Sequence, residues 1–348
     1  MLSKYNHKLL ADFINKSLKE KKVVEKVAKD VVSSLIETSL RGVDSHGIRL
    51  LPHYLKAIDS GRINIDPNFI FNKTSEGTGK LDADHTFGHA SGALAMNYAL
   101  DMASENGISC VSVFNSTHFG AASYFSLIAA RKNMVGISFT HADSLLLSHS
   151  SNRSFFGTNP ICVTFPVMDE EPFCLDMATS LVSWNKILEC RSSKKEIPKG
   201  WGVDKDGLDT TNPNEVRSLI PAGSYKGFGL SMVIEILCSF LGGMPYGHDI
   251  TKMYSDPIDS KRNLAHFFMA IDISKFQPLD DFRLRMKNLM NLVRNEPRAD
   301  YSTPVLCPGD PEKATFEERS KSGIPLDSET EKAFKKIANN LKFVLESI

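Results

Sequence analysis

The 348-residue sequence predicts a mixed α/β fold, in which a central lobe of strands and helices is enclosed by helices from both chain ends. Helical apolar spacing dominates residues 5–40, short apolar strands alternate with helices from about 75 to 180, and helical patterns return after 220. The chain is longer than the roughly 250–300 residues at which a single core usually stops growing. We therefore expect two lobes, of which the outer one is discontinuous in sequence.

Near the amino terminus, apolar residues at helical spacing predict one amphipathic helix over residues 5–19 and a second over 22–40. Gly42 can end the second helix, because glycine is common just past a helix end. Pro52 is suited to the first turn of another short helix. These segments form the first part of the predicted outer lobe.

In the central region, segments with the apolar spacing of a helix alternate with short apolar segments typical of strands. Helix 92–106 is predicted to precede strand 108–114, and helix 121–132 to precede strand 134–140.

Two further strands, 161–167 and 172–177, follow in the central region, and residues 168–171 suit a hairpin turn between them. Beyond residue 220 the pattern is mostly helical, with an apolar helix over 230–241 and amphipathic helices over 280–295 and 328–346. Between these helices, residues 263–273 are predicted to form a strand, because they contain the apolar run Phe-Phe-Met-Ala-Ile.

Composition narrows the class of protein. Hydrophobic residues make up 42% and charged residues 24%, which excludes collagen-like and disordered chains. Lys plus Arg and Asp plus Glu each total 41, so charge gives no reason to expect a nucleic-acid or membrane partner. The first residues lack the apolar core of a signal peptide, and no window approaches 18 apolar residues. Six cysteines without a C-x-x-C pair favour buried free thiols, so we expect a soluble, cytoplasmic protein.

The absence of several short sequence motifs excludes common kinds of cofactor and metal site. A dinucleotide enzyme of the usual kind carries G-x-G-x-x-G between a strand and a helix. Gly77-x-Gly79 is followed by Asp82 at the third glycine position, and Gly227-x-Gly229 by Met232, so neither fits. The chain also lacks a Walker A loop, an H-E-x-x-H motif and typical zinc spacing among its ten histidines. We expect no metal, and a nicotinamide cofactor would need a site of another architecture.

Residues 41–49, Arg-Gly-Val-Asp-Ser-His-Gly-Ile-Arg, carry the strongest chemical signal. Oxidation of a 2-hydroxy acid needs a base for the hydroxyl proton and a cation for the carboxylate. His46 suits the first task and Arg49 the second, with Ser45 adjacent and Tyr54 close enough to join them. The alternative interpretation is a capped turn with a solvated histidine and arginine.

Two further loops each follow a predicted strand, where sites are commonly built. Residues 115–122 contain His118, and residues 139–143 contain His141 and Asp143. Asp143 could orient an imidazole, as carboxylates do in catalytic triads. Alternatively, His118 is incidental to a helix N-cap and Asp143 is a turn residue.

Three other segments offer groups that could meet a diphosphate or ribose. Residues 175–180 end a strand in small polar side chains, Lys226 precedes the apolar helix, and residues 308–310 form a tight turn. Each signal is weak alone, because glycine-rich turns are common.

Taken together, these segments resemble the malate/L-lactate dehydrogenase family, which lacks a Rossmann domain and includes ureidoglycolate dehydrogenases, L-sulfolactate dehydrogenases and 2,3-diketo-L-gulonate reductases. The matching stretches span nearly the whole chain: RGVDSHGIRLLPHYL (41–55), NSTHFGAASYF (115–125), FGTNPICVTFP (156–166), LDMATS (175–180), IPKGWGVDKDGLDTTNP (197–213) and YKGFGLSMVIEIL (225–237). Departures at His141, 184–186 and 222–225 leave the substrate open.

The resemblance implies an α/β (α+β) fold with a non-Rossmann NAD(P)-binding domain, a largely antiparallel sheet, and a helical domain built from both chain ends. It implies that residues 75–224 bind the cofactor, and that residues 1–74 and 225–348 form the helical, substrate-binding domain. Members of the family usually assemble as homodimers.

For the reaction, the resemblance implies reversible hydride transfer between NAD or NADP and a small 2-hydroxy or 2-keto acid. His118 matches the acid/base histidine of ureidoglycolate dehydrogenases, and His46 the proton donor of diketogulonate reductases. Asp143 matches an acidic residue beside the reacting centre. Substrate positions are matched by Ser45, Arg49 and Tyr54, and cofactor contacts by Asp176, Met177, Ala178, Thr179, Ser180, Lys226, Gly309 and Asp310. Reduction of a cyclic imine-2-carboxylate is the alternative, since it needs the same carboxylate clamp.

Overall fold

The structure is a computed structural model and describes residues 2–348. Its helices are α1 His7–Glu20, α2 Glu25–Leu40, α3 Leu51–Asp59, α4 Gly88–Asn106, α5 Ala122–Arg131, α6 Trp184–Ser192, α7 Tyr225–Glu235, α8 Leu279–Arg294, α9 Asp310–Ser322 and α10 Ser328–Asn340. Its strands are β1 Ser3–Tyr5, β2 Ile70–Ser75, β3 Thr78–Asp82, β4 Ile108–Ser116, β5 Met134–Thr140, β6 Leu146–Leu147, β7 Ser154–Phe156, β8 Ile161–Val167, β9 Glu170–Met177, β10 Gly202–Val203, β11 Ser218–Leu219, β12 Leu264–Asp272 and β13 Ile324–Leu326. None of the helices in this range is long and apolar enough to cross a membrane.

A seven-stranded sheet with the order β2-β3-β4-β12-β5-β8-β9 forms the centre of the molecule. Between residues 2 and 348 the neighbouring strands of this sheet are antiparallel, except for the parallel pair β3–β4. The prediction of a largely antiparallel, non-Rossmann sheet is therefore confirmed. Smaller sheets join β1 with β13, and β10, β11, β6 and β7 in that order.

Strand β12 lies in the middle of the large sheet, between β4 and β5, although it comes from the carboxy-terminal part of the chain. Its first five residues are all buried, as expected for a strand that is covered on both faces. The predicted strand at 263–273 is thus confirmed. The predicted domain division assigned this segment to residues 225–348, whereas its partner strands β4 and β5 lie within residues 75–224.

Helices α4 and α5 cover one face of the sheet. Phe268 of β12 is fully buried and packs against Phe125 of α5, with ring centroids 5.3 Å apart. Gly92 of α4 makes this approach possible, because a Cβ there would lie 2.6 Å from the Phe125 ring and 2.9 Å from the Phe268 ring. A larger residue at position 92 would push α4 off the sheet.

The outer lobe joins the two ends of the chain in one apolar core. Phe13 of α1 packs against Phe334 of α10 at 5.1 Å between ring centroids, and β1 pairs with β13 through Tyr5 and Ile324. Ion pairs connect this lobe to the sheet lobe, for example Arg41 with Glu171 at 2.8 Å. Helices from both chain ends therefore share a core, as predicted.

Several element predictions differ from the structure. The short strands of the small sheet and the β2–β3 hairpin were not predicted, because their pairing depends on tertiary neighbours rather than on local pattern. Helix α10 ends at Asn340 rather than at 346, and Lys342 beyond it has a left-handed backbone conformation (φ +49°). The apolar helix at 230–241 begins earlier, as α7, and its last part is the π-helical turn Ile236–Phe240.

The packing predicts that Phe268→Ala lowers the free energy of unfolding by about 3–5 kcal/mol, because it leaves a cavity between the sheet and α5. Phe276→Ala is the matched control, since Phe276 is 67% exposed, and we expect a change of about 0.5 kcal/mol or less. Urea denaturation followed by circular dichroism measures both values. Equal losses in the two variants would contradict the assignment of the core.

Candidate active site

A cavity of about 1640 Å³ lies where residues of the outer lobe meet the ends of the central strands. Sites for small organic ligands usually have about 300–1,000 Å³, so this cavity has room for a dinucleotide together with a small acid. Its wall contains nine of the predicted site residues, namely Ser45, His46, Arg49, His118, Asp143, Asp176, Met177, Ala178 and Gly309. The fold thus collects residues from five separate segments of the sequence.

The loop after α2 presents His46 and Arg49 to this cavity. Two short 3-10 turns, Asp44–His46 and Ile48–Leu50, shape the loop, and Arg319 of α9 holds Asp44 at 2.6 Å. Gly47 is required there, because a Cβ would lie 2.1 Å from the Ser39 hydroxyl. The loop is therefore fixed between two helices rather than being a solvated turn.

His118 lies just after β4 and forms a ring pair with His46. The two imidazoles are stacked, with centroids 5.6 Å apart and an interplanar angle of 22°. His118 Nδ1 is hydrogen-bonded to Tyr54 Oη at 2.8 Å, and His46 Nδ1 to Ser45 Oγ at 2.7 Å. Neither Nε2 atom has a hydrogen-bond partner within residues 2–348. Both rings are thus held through Nδ1 and keep Nε2 for a ligand.

Tyr54 is not among the lining residues of this cavity in the described chain. Its side chain is buried in the outer lobe, and its hydroxyl is hydrogen-bonded to His118. From the sequence, Asp143 is the candidate for a contact of this kind with an imidazole. A contact of Tyr54 with substrate stays a prediction.

The ring pair is neutral at physiological pH. Burial and then the charge of Arg49 lower the pKa of His46 to about 4. Burial, the neighbouring rings of His46 and His89, and the charge of Arg262 lower the pKa of His118 well below its ordinary value. A neutral imidazole can accept a proton from a bound hydroxyl group.

Asp143 lines the cavity but is bonded to a guanidinium rather than to an imidazole. One carboxylate oxygen pairs with Arg262 Nη2, and the other accepts a hydrogen bond from the Met253 amide at 2.6 Å. Arg262 also lines the cavity and was not predicted as a site residue. The available signal was the pair Lys261-Arg262 directly before a predicted apolar strand, which is weak because such residues are usually solvated.

The far side of the cavity fits a dinucleotide. Gly309 has φ +93° at the start of α9, and a Cβ there would lie 3.1 Å from the Cys174 amide nitrogen, so the wall is closely packed. Asp176 accepts a hydrogen bond from the Ser123 amide at 2.9 Å, and burial raises the pKa of its carboxyl group. Ala178 adds a small side chain, and Lys186 lines the wall in an ion pair with Glu189 at 2.8 Å. The small side chains leave room for a ligand along this wall.

Four predicted cofactor residues are not among the lining residues of this cavity in the described chain. Thr179 and Ser180 donate hydrogen bonds to the Thr158 and Val182 carbonyl groups, which holds the turn after β9. Asp310 pairs with Arg294 and caps its own turn, and Lys226 is exposed in the first turn of α7. The resemblance alone supports a cofactor role for these four residues.

No group of three or more His, Cys, Asp or Glu side chains within residues 2–348 is arranged to hold a metal ion. His89 lies behind the ring pair and is fully buried, and neither of its ring nitrogens has a partner in the same range.

Comparison with known proteins finds one family model and several related dehydrogenases. A family model described as malate/L-lactate dehydrogenase matches residues 5–335. The chain is 34% identical to a malate dehydrogenase of Pyrococcus abyssi, covering 97% of this chain and 93% of the relative. It is 31% identical to an NAD(+) ureidoglycolate dehydrogenase of Escherichia coli K12, covering 93% and 92%. The solved sulfolactate dehydrogenase of Methanocaldococcus jannaschii superimposes with a TM-score of 0.91 at 31% identity, covering 99% of this chain and 98% of that one.

The buried histidines predict that the protein loses stability in acid. Burial lowers the pKa of His46 and His53 to about 4, below the ordinary histidine value of 6.5. Between these values the unfolded chain binds more protons than the folded one, so the free energy of unfolding falls as the pH decreases from 6.5 towards 4. Urea denaturation at pH 7, 6 and 5 measures this dependence.

His89→Leu tests the assignment, because burial also lowers the pKa of His89 to about 3. We expect the variant to show a weaker dependence of stability on pH in this window. His248→Gln is the control, since His248 is exposed, and it should leave the dependence unchanged. If all three proteins have the same pH dependence, buried histidines are not its cause.

Proposed function

The chain belongs to the malate/L-lactate dehydrogenase family, and from this we propose that it transfers hydride reversibly between NAD or NADP and a small 2-hydroxy or 2-keto acid. The observation that carries the proposal is the neutral His46–His118 ring pair beside Arg49 in the wall of one large cavity. Malate, lactate, sulfolactate and ureidoglycolate are the substrates to consider, since the related enzymes are named after such acids.

In the oxidation direction, His118 Nε2 accepts the proton of the substrate hydroxyl group as the C–H bond breaks. A bound nicotinamide supplies the hydride acceptor. The ring then carries a positive charge, and Nδ1–H donates to Tyr54 Oη, which keeps the imidazolium in place. In the reduction direction the same Nε2–H donates its proton to the keto oxygen.

We assign this proton transfer to His118 first and keep His46 as the alternative. Tyr54 is buried, and its hydrogen bond to Nδ1 holds the orientation of the His118 ring. Ser45, the partner of His46, is only partly buried and holds its ring less firmly. A catalytic base acts best when its orientation is set before the substrate binds.

Arg49 is proposed to hold the carboxylate of the substrate. Its side chain is exposed in the cavity and makes no hydrogen bond to another residue within 2–348. The planar guanidinium can donate two parallel hydrogen bonds to a carboxylate. Ser45 lies beside it and can add a third donor.

The cofactor is proposed to lie along Asp176, Met177, Ala178 and Gly309, which line the same cavity. The ureidoglycolate dehydrogenase of Escherichia coli is named for NAD(+), which favours NAD as the first cofactor to test. The cofactor lobe is proposed to be residues 75–224, with β12 completing its sheet. A cytoplasmic location belongs to the same proposal, supported by six free cysteines, five of them buried.

We also propose a homodimer. Helix α7 and its π-helical turn are largely apolar, yet Met232, Val233 and Phe240 of these elements and the following Leu241 are each about half exposed, at 46%, 51%, 55% and 50%. A helix of this kind is normally buried, and contiguous exposed apolar surface marks an interface. A second copy of the chain is the partner that the family resemblance favours.

Purified protein with NAD or NADP is expected to oxidise at least one of malate, lactate, sulfolactate and ureidoglycolate, measured by the absorbance of the reduced cofactor. His118→Gln is expected to lower kcat by about 10²–10⁴-fold, because the transfer of the proton loses its base. His46→Gln should lower kcat less. Binding of reduced cofactor, followed by fluorescence, should be unchanged in both variants.

A larger loss in His46→Gln than in His118→Gln would move the base to His46. Failure of the wild-type protein to oxidise any of the four acids would contradict the proposed function. Faster reduction of piperideine-2-carboxylate than of pyruvate would replace it with imine reduction.

Introducing charge at the α7 surface is expected to separate the dimer. We expect Val233→Glu combined with Phe240→Glu to reduce the mass measured by light scattering after gel filtration from that of two chains to that of one. Leu292→Glu is the control, since Leu292 is 68% exposed on α8. A wild-type protein with the mass of one chain would exclude the proposed dimer.

A further inference from the structure

Tyr254 lies in the wall of the cavity and exposes much of its side chain. The side chain is 67% exposed, and the residue lines the cavity together with Arg49 and His118. Whereas the Tyr54 hydroxyl group is bonded to His118, the Tyr254 hydroxyl group forms no hydrogen bond to another residue within 2–348. An aromatic side chain with a free polar end in a cavity is suited to contact a ligand.

The segment that carries Tyr254, residues 252–258, is anchored on both sides of this residue. The Met253 amide donates a hydrogen bond to Asp143 at 2.6 Å, and the Met253 carbonyl group accepts one from the buried Arg62 at 3.0 Å. Arg62 also donates to the Pro257 carbonyl group at 2.7 Å. The backbone beside Tyr254 is therefore fixed both to the loop after β5 and to the loop after α3.

The ring of Tyr254 is held by a second ring. It packs edge-on against His53 of α3, with centroids 5.0 Å apart and an interplanar angle of 66°. His53 in turn packs against Tyr54, with centroids 6.0 Å apart, and Tyr54 is the residue that is bonded to His118. The position of Tyr254 is thus set before a ligand binds, which lowers the entropy cost of a contact with it.

The hydroxyl group of Tyr254 is close to the groups that are proposed to hold and convert the substrate. The surrounding protein desolvates it and raises its pKa, which the charges of Arg49 and Arg262 lower and that of Asp143 raises. Burial raises the pKa of Tyr54 well above its ordinary value, and the nearby Tyr254 hydroxyl group raises it further. The Tyr254 hydroxyl group is therefore protonated at neutral pH and available as a hydrogen-bond donor.

We infer that Tyr254 is a substrate-binding residue, whose hydroxyl group donates a hydrogen bond to the carboxylate that Arg49 holds. The inference rests on the proposed function, because the ligand is taken to be a 2-hydroxy or 2-keto acid at the ring pair. A carboxylate has two oxygens with about four lone-pair sites, so it can accept from a guanidinium and a phenol together. Tyr54 orients His118, and Tyr254 contacts the acid, so the two tyrosines have different tasks.

Binding of oxamate tests this role, because oxamate has the shape and charge of a 2-keto acid and is not reduced. We expect Tyr254→Phe to weaken oxamate binding by about 10–100-fold, the range for a lost hydrogen bond to a charged group. Calorimetric titration of the protein, alone and with NADH, measures this. The KM for the keto acid should rise by the same factor, while kcat changes by less than about threefold.

Tyr98→Phe is the matched control. Tyr98 also packs against another ring, that of Phe71 with centroids 3.9 Å apart, but it does not line the cavity. This variant should bind oxamate as the wild-type protein does. Tyr254→Leu removes the ring as well, so it should lower the thermal midpoint of unfolding in addition to weakening oxamate binding. If oxamate binding is weaker in Tyr254→Leu but unchanged in Tyr254→Phe, Tyr254 has a packing role and the inference is overturned.

The same titration separates this inference from the proposed function. If no 2-hydroxy acid is oxidised but Tyr254→Phe weakens oxamate binding, the proposed reaction is wrong and the carboxylate site stands. If a 2-hydroxy acid is oxidised but wild-type protein and Tyr254→Phe bind oxamate equally well, the reaction stands and the role of Tyr254 is wrong. A wild-type protein that does not bind oxamate contradicts the inference as well.

Discussion

The hydrogen bond between Tyr54 and His118 connects the two lobes at the point where chemistry is proposed. Tyr54 belongs to helix α3 of the outer lobe, and His118 follows strand β4 of the central sheet. A buried phenol hydroxyl without a partner would cost about 1–3 kcal/mol, so the lobes are held in the relative position that allows this contact. The geometry of the cavity between them depends on it.

Burial determines the protonation state of the two histidines at the same place. The imidazoles are surrounded by apolar and aromatic groups and by guanidinium charges, all of which oppose protonation. The result is a pair of neutral imidazoles next to guanidinium groups, and a bound anion would offset part of this opposition to protonation. The same desolvation makes the histidines a source of acid sensitivity, so the stability of the fold and the state of the site are linked.

Local sequence patterns predicted most of the long helices and strands. They also identified the residues that carry the strongest motifs. Helices α2, α4 and α5 and strands β4, β5, β8 and β12 agree with the predicted segments to within a few residues. The β2–β3 hairpin and the two-residue strands could not be predicted, because they are stabilised by neighbours that are distant in sequence. Arg262 was not predicted as a site residue for the same reason, because its position beside Asp143 and the cavity depends on contacts between segments that are distant in sequence.

The sequence by itself determined the family, the absence of a Rossmann fingerprint, and the group of residues 41–49 with His118 that the site is built from. These properties depend on residue types and spacing, which are local. The tertiary structure decided that Tyr54 rather than Asp143 is hydrogen-bonded to His118, that Asp143 instead pairs with Arg262, and that β12 lies between β4 and β5 in the sheet. Each of these depends on a distance between segments far apart in the chain, and packing alone fixes such distances.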